Sequence, residues 1–222
     1  MSGWWVADLL HDPNRGPVKL VSWIVLVIGS IVLHELSHGW AALRLGDTTP
    51  RDSGHMTWNP LVHMGPWSLA AFAVIGIAWG MMPVDPSRLR GRRGEAWVAL
   101  AGPAMNIAIA LVCFAALVLW DVLAGRTGAA EPLRTNLLIF FRLGVWLNLV
   151  LAVFNLVPVL PLDVGRIAAN LWRGYRELAA SEHGQWLMLG GFILFFWFGF
   201  DLVSAWTIDL VQTLERLAVG LF

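Results

Sequence analysis

The chain has 222 residues, of which 58% are hydrophobic and 14% charged, and its mean hydropathy is +0.67. Soluble domains run roughly 45–50% apolar and about 25% charged, so the composition argues against a soluble protein and for an integral membrane one. Fifteen basic and fifteen acidic residues cancel, so no polyanionic partner is implied and the chain is expected to bind no nucleic acid.

Near the start, Trp4 to His11 is too short and too acidic for a cleavable signal peptide and reads as an interfacial helix, set off by Pro13 and Pro17. The first long apolar run, Leu20 to Leu45, covers about 39 Å as a helix, enough to cross a ~30 Å hydrocarbon core. Gly46 to Pro66 is polar and turn-rich and predicts a loop or short hairpin. Trp67 to Met82 is apolar but short, bracketed by Pro66 and Pro83. The most basic stretch follows, Arg88 to Arg93, which reads as a topology determinant touching anionic lipid. Glu95 to Trp120 is a second span, Asp121 to Thr135 a polar connection, and Asn136 to Leu160 a third span broken by Pro158 and Pro161. Asp163 to Glu182 is mixed and suits a helix at the membrane surface. Gln185 to Phe200 begins a last span with room to run on past Asp201, and Ile208 to Leu221 is amphipathic, as a closing interfacial helix would be. Cys113 is the single cysteine and has no internal partner. The reading is an all-α integral membrane protein in one domain, with about four full crossings, a re-entrant segment and interfacial helices.

The chemistry-bearing stretch is His34-Glu35-Leu36-Ser37-His38, inside the first apolar run. Ionisable groups are costly there, ~2.5–3.5 kcal/mol for an unpaired charge on insertion scales, and usually functional. Spacing i, i+4 puts both histidines on one helix face, able to ligate one metal, with Glu35 next to the open position as a general base. The alternative, polar residues on a solvated helix face, is weak inside an apolar span. A catalytic zinc needs a third protein ligand. His55 and His63 lie in the polar loop, while Asp163 stands out among the intramembrane carboxylates because it follows a proline-broken stretch, where irregular backbone lines a cavity. N-capping of the following helix is the competing role for Asp163.

Topology then turns on residues 67–82. The histidines lie nearer the C-terminal end of their span, and Asp163 meets them only if residues 67–82 dip in and return. The site is therefore expected to open toward the arginine-rich face, which the positive-inside tendency makes cytosolic.

Three blocks resemble the site-2 protease family of intramembrane zinc metalloproteases: His34 to His38; Ala101-Gly102-Pro103-Ala104-Met105-Asn106; and Asn155 through Pro158, Pro161 and Leu162 to Asp163. Asn59-Pro60-Leu61-Val62-His63 and Pro83-Val84-Asp85-Pro86 through Leu89-Arg90 resemble its small bacterial branch, without an attached PDZ-like or nucleotide-sensing module. The resemblance covers roughly residues 20 to 175. It implies one zinc held by His34, His38 and Asp163, Glu35 as catalytic base, and Asn155 supporting substrate or transition state. It also implies that Asn106 orders the core and supports the site, and that the chain sits in a bacterial inner membrane and cleaves transmembrane substrates. The substrate is expected to unwind and pair as an extended strand near residues 47–66 or the re-entrant piece. The departure is Val164, where the family has glycine after the aspartate; valine is unsuited to positive φ and adds bulk beside the ligand. Val164 is also what favours the alternative of a non-proteolytic metal-binding membrane protein, against which an intact Glu35 stands.

Overall fold

A computed structural model describes residues 5–128, 130–160 and 162–219, and the regular structure among them is helical. The short entry helix α1 is Trp5–Leu10, and α2 runs Gly16–Arg44 with Pro17 in its first turn, where a missing N–H costs nothing. Its 29 residues extend about 43 Å, so the span starts four residues earlier than the apolar run alone predicts. The expected loop at 46–66 contains the one-turn helix α3, Thr49–Asp52, and the start of α4, Pro60–Ile75, where the Leu61 N–H donates to the Asn59 side chain.

Residues 67–82 do re-enter. Gly65 takes φ 67° and ψ 170°, a conformation open essentially to glycine, and Pro66 follows it, so α4 kinks there and about ten residues, ~15 Å, penetrate further. Gly76 ends the helix in the left-handed region at φ 78°. The chain then returns in extended form along α4. The Ser68 hydroxyl donates to the Trp79 carbonyl (2.7 Å) and accepts from the Trp79 N–H (2.8 Å), and the Met81 N–H donates to the His63 carbonyl (2.9 Å). Beyond it, the Asp85 N–H donates to buried Asp47 (2.8 Å) and the Arg90 N–H to the Leu45 carbonyl (2.8 Å), which pins the basic segment at the C-terminal end of α2.

Two spans end differently from expectation. Helix α5, Gly94–Thr127, continues past Trp120 because residues 121–127 contain no breaker stronger than Gly125, and it stops at Gly128 in the left-handed region. Helix α6, Leu133–Asn155, stops short of Leu160, since Pro158 disfavours helix in the residues before it. The surface segment divides into α7, Asp163–Leu171, and α8, Arg173–Ala180, at the extended residue Trp172. Helices α9, Glu182–Leu194, and α10, Phe200–Val219, join through a π-helical turn at Phe195–Gly199 into one long rod. Residues 208–219 are therefore no separate interfacial helix. They pack on the bundle, with Val211 against Cys113 and Val145, and Glu215 pairing with Arg142 of α6.

Helices α2, α5, α6 and the α9–α10 rod are each long and apolar enough to cross a membrane. Their alternating directions put the end of α2, the start of α5, the end of α6 and the start of α9 at one end of the bundle. The core between α2, α4 and α6 is built on Leu26, Val27, Ile31, Met64, Phe72 and Leu147.

Candidate metal centre

His34 and His38 sit one helical turn apart on α2, and Asp163 opens α7 more than a hundred residues later. All three are buried, and one ligand atom from each lies within 4.8 Å of the others. His34 Nε2 is 3.0 Å from His38 Nε2 and 3.1 Å from Asp163 Oδ2, while His38 Nε2 is 3.3 Å from Asp163 Oδ1.

The outer nitrogens show what kind of atoms these are. His38 Nδ1 is 2.7 Å from the Val98 carbonyl and His34 Nδ1 is 2.6 Å from Asn106 Oδ1. Both partners only accept, so each Nδ1 carries the proton and donates, and in the neutral ring each Nε2 presents a lone pair. Two lone-pair nitrogens and a carboxylate thus face one another in a dry place. Asp163 Oδ2 has no hydrogen-bond partner, although His34 Nε2 is 3.1 Å away. Such an arrangement is costly unless a cation joins it. Ordinary zinc bonds of about 2.0–2.2 Å at tetrahedral angles require donor separations of about 3.3–3.5 Å, close to those present.

Glycine makes the room. Gly102 of α5 lies directly against the two rings: a Cβ there would overlap His34 Cε1 and Nε2 and come within 2.5 Å of His38 Nε2. Gly80 of the returning segment passes Glu35 in the same way, a Cβ coming within 2.6 Å of its Cγ and Oε1. Glu35 is buried beside the cluster, one residue from His34, and makes no hydrogen bond or ion pair among the described residues. A cleft of about 390 Å³ leads to His38 between residues 81–86, the start of α5 and α7.

Val164 does not strain this site. It is the second residue of α7, and no residue other than glycine has positive φ among the described residues. The glycine the turn requires is Gly165, where a Cβ would come within 2.5 Å of the Val159 backbone. Asp163 is the first residue of α7 rather than its cap, which leaves its carboxylate free to face the histidines. Pro161 lies outside the described residues.

Of the two asparagines, Asn106 is fully buried and meets the cluster through His34. Asn155 instead donates back to the Leu151 carbonyl of its own helix (3.0 Å). Sequence reasoning passed over Asn148, fully buried behind Asn106, and Ser68, which ties down the returning segment. An amide inside the run Leu147-Asn148-Leu149-Val150-Leu151 was the available signal.

The sequence profile described as "Peptidase family M50" matches residues 22–135 and 121–198, most of the chain. The chain belongs to this family. It is 35% identical over 159 residues to a Bacillus subtilis protein named "Putative zinc metalloprotease YwhC", covering 70% of this chain and 71% of that one. It is 26% identical over 214 residues to Rip2 of Mycobacterium tuberculosis, covering 90% of this chain and 76% of the relative. Its match to Rip3 of the same organism is 29% over 192 residues, 82% of this chain but 40% of that longer protein. Both carry the same zinc metalloprotease description. No solved structure matches the chain.

Proposed function

We propose that this M50 protein hydrolyses peptide bonds within or beside transmembrane segments of other membrane proteins. One zinc ion per chain is held by His34, His38 and Asp163, and Glu35 is the general base. The observation that carries the reading is the convergence of three buried metal-ligating side chains beside Gly102, with Glu35 one residue from the first of them. When bound, zinc polarises the scissile carbonyl and lowers the pKa of a water from ~15.7 to about 7. Glu35 removes the proton from that water as it attacks and delivers it to the leaving amide nitrogen. Asn106 holds His34, and Asn155, at the end of α6, supports the substrate or transition state.

The returning segment is where the substrate pairs. Trp79 and Met81 direct their backbone bonds toward Ser68 and His63. In an extended chain the intervening Ala78, Gly80 and Met82 turn theirs to the opposite edge, and these carry no backbone hydrogen bond among the described residues. A transmembrane helix conceals its carbonyls in its own hydrogen bonds, so the substrate unwinds and adds as a strand along that edge, which passes Glu35 at Gly80. The arginines at 88–93 and 166–176 share the end of the bundle that carries the site, so this end faces the cytosol of a bacterial inner membrane. The whole chain acts as one membrane-embedded domain.

Glu35→Gln is expected to abolish cleavage of a co-expressed membrane substrate while the purified protein keeps one zinc per chain by elemental analysis. Wild-type turnover in that variant would remove the mechanism. Loss of zinc in His38→Ala and Asp163→Ala tests the ligand set.

A further inference from the structure

The two histidines are held from behind in different ways. His38 Nδ1 donates straight to a backbone carbonyl, Val98 of α5, which cannot reverse its role. His34 Nδ1 donates to an amide side chain, and an amide can be turned end for end to present N–H₂ instead of oxygen. Something must decide which way Asn106 points.

That decision is made in α6. Asn106 Nδ2 donates to Asn148 Oδ1 at 2.9 Å, and Asn148 Nδ2 donates to both the Ser30 hydroxyl oxygen and the Gly144 carbonyl, each at 3.0 Å. The Gly144 carbonyl only accepts, so the Asn148 atom facing it must be the nitrogen, and its oxygen then faces Asn106. Asn106 must therefore offer nitrogen to Asn148 and oxygen to His34. His34 must carry its proton on Nδ1 and present the Nε2 lone pair to Asp163 and His38. Ser30 is buried and both asparagines are fully so, where a polar group that loses its partner is costly.

Resting on the zinc-protease reading, we propose that Asn148 is a positioning residue for the metal centre: through Asn106 it fixes the tautomer and orientation of His34. Leucine at 148 leaves Asn106 Nδ2 without its acceptor. The amide is then free to turn its N–H₂ toward His34, which can meet it only by moving its own proton to Nε2, the atom that must ligate. Partners at this remove from a metal typically change affinity by about 10- to 100-fold.

The test uses purified full-length protein in detergent, zinc competed by a chromophoric chelator, and the visible spectrum of the cobalt(II)-substituted protein. Asn148→Leu is expected to weaken zinc by about 10- to 100-fold and to shift the cobalt bands, with helix content by circular dichroism unchanged. Asn106→Leu should do the same, and the double variant should lose no more than the worse single one, because both break one relay. Wild-type affinity and cobalt spectrum in Asn148→Leu would overturn the proposal. So would losses that add in the double variant, since these would mean independent packing defects. If wild-type protein binds no zinc, the functional reading itself fails; if it does and Asn148→Leu is unaffected, only the relay fails.

Discussion

At residue scale, the site depends on atoms that are missing as much as on those present. Gly102 exists so that α5 can lie on two imidazoles, and no rotation of a new methyl escapes them because it is attached to the backbone itself. Gly102→Ala is therefore expected to lose zinc at least tenfold, read by chelator competition, while helix content is retained. The meeting of His34 and His38, with Glu35 beside them as the proposed base, was legible from spacing in an apolar run, and the approach of Asp163 from the proline-broken backbone before it. The requirement at Gly102 was visible only as a general permission for close packing, because sequence does not say which side chain a glycine faces. Val164 illustrates the opposite error. A residue read as a strained turn is ordinary helix, and the close approach falls one position later, at Gly165. Asp47, in the loop that follows α2, sets a pH dependence. Burial alone would raise its pKa, but the Thr49 side chain and amide and the Asp85 amide outweigh that and hold it below the ordinary carboxylate value. A carboxyl depressed by folding stabilises above its unfolded pKa, about 3.9, and that contribution is lost as pH falls through the lower folded value. Acid unfolding below about pH 4 should thus be flatter in Asp47→Asn than in wild type.

At the scale of elements, the re-entrant hairpin was deduced from where the metal ligands must meet, not from its own composition, which suits a span equally well. Its turn chemistry explains how it comes about. Gly65 and Pro66 redirect α4, Gly76 ends it, and Ser68 receives the returning chain. Gly65→Ala should cost about 1–3 kcal/mol, since a Cβ is unwelcome at φ 67° and ψ 170°, and would appear as a lower unfolding temperature. Ser68→Ala removes the hydroxyl that pairs with both backbone polar atoms of Trp79, about 0.5–1.5 kcal/mol for each hydrogen bond lost. With the pairing edge loosened, KM for a membrane substrate is expected to rise while zinc affinity stays unchanged; an unaltered KM would argue against strand addition at residues 77–82. The long α9–α10 rod was harder to read. Asp201, Asp209 and Glu215 break its hydropathy into two halves, yet Glu215 is accounted for by a two-pronged ion pair with Arg142, at 2.6 to 3.1 Å. A charge that finds its partner on another helix looks, in sequence, like a helix at the interface.

At the scale of the molecule, four crossings and one hairpin place every element of the proposed site at a single end. In a Cys113→Ala background, cysteines at positions 92 and 173 should react with an impermeant thiol reagent from the same side of the membrane. Reaction from opposite sides would contradict the arrangement. Zinc also has a mechanical part, because it would join α2 to α7, two elements distant in sequence. Stripping it with a chelator is expected to lower the unfolding temperature, and excess zinc to raise it by mass action. The late position of Asp163 has a consequence in time. A nascent chain threads into the bilayer from its first helix onward, so His34, Glu35 and His38 are embedded long before α7 has been synthesised. Until then the histidine pair lacks its carboxylate, and Asn106 and Asn148 have yet to take up their places behind His34. On the proposed ligand set, a peptidase assembled in that order stays inert among the half-inserted helices of its neighbours, its own included, and gains its third ligand only when α7 arrives.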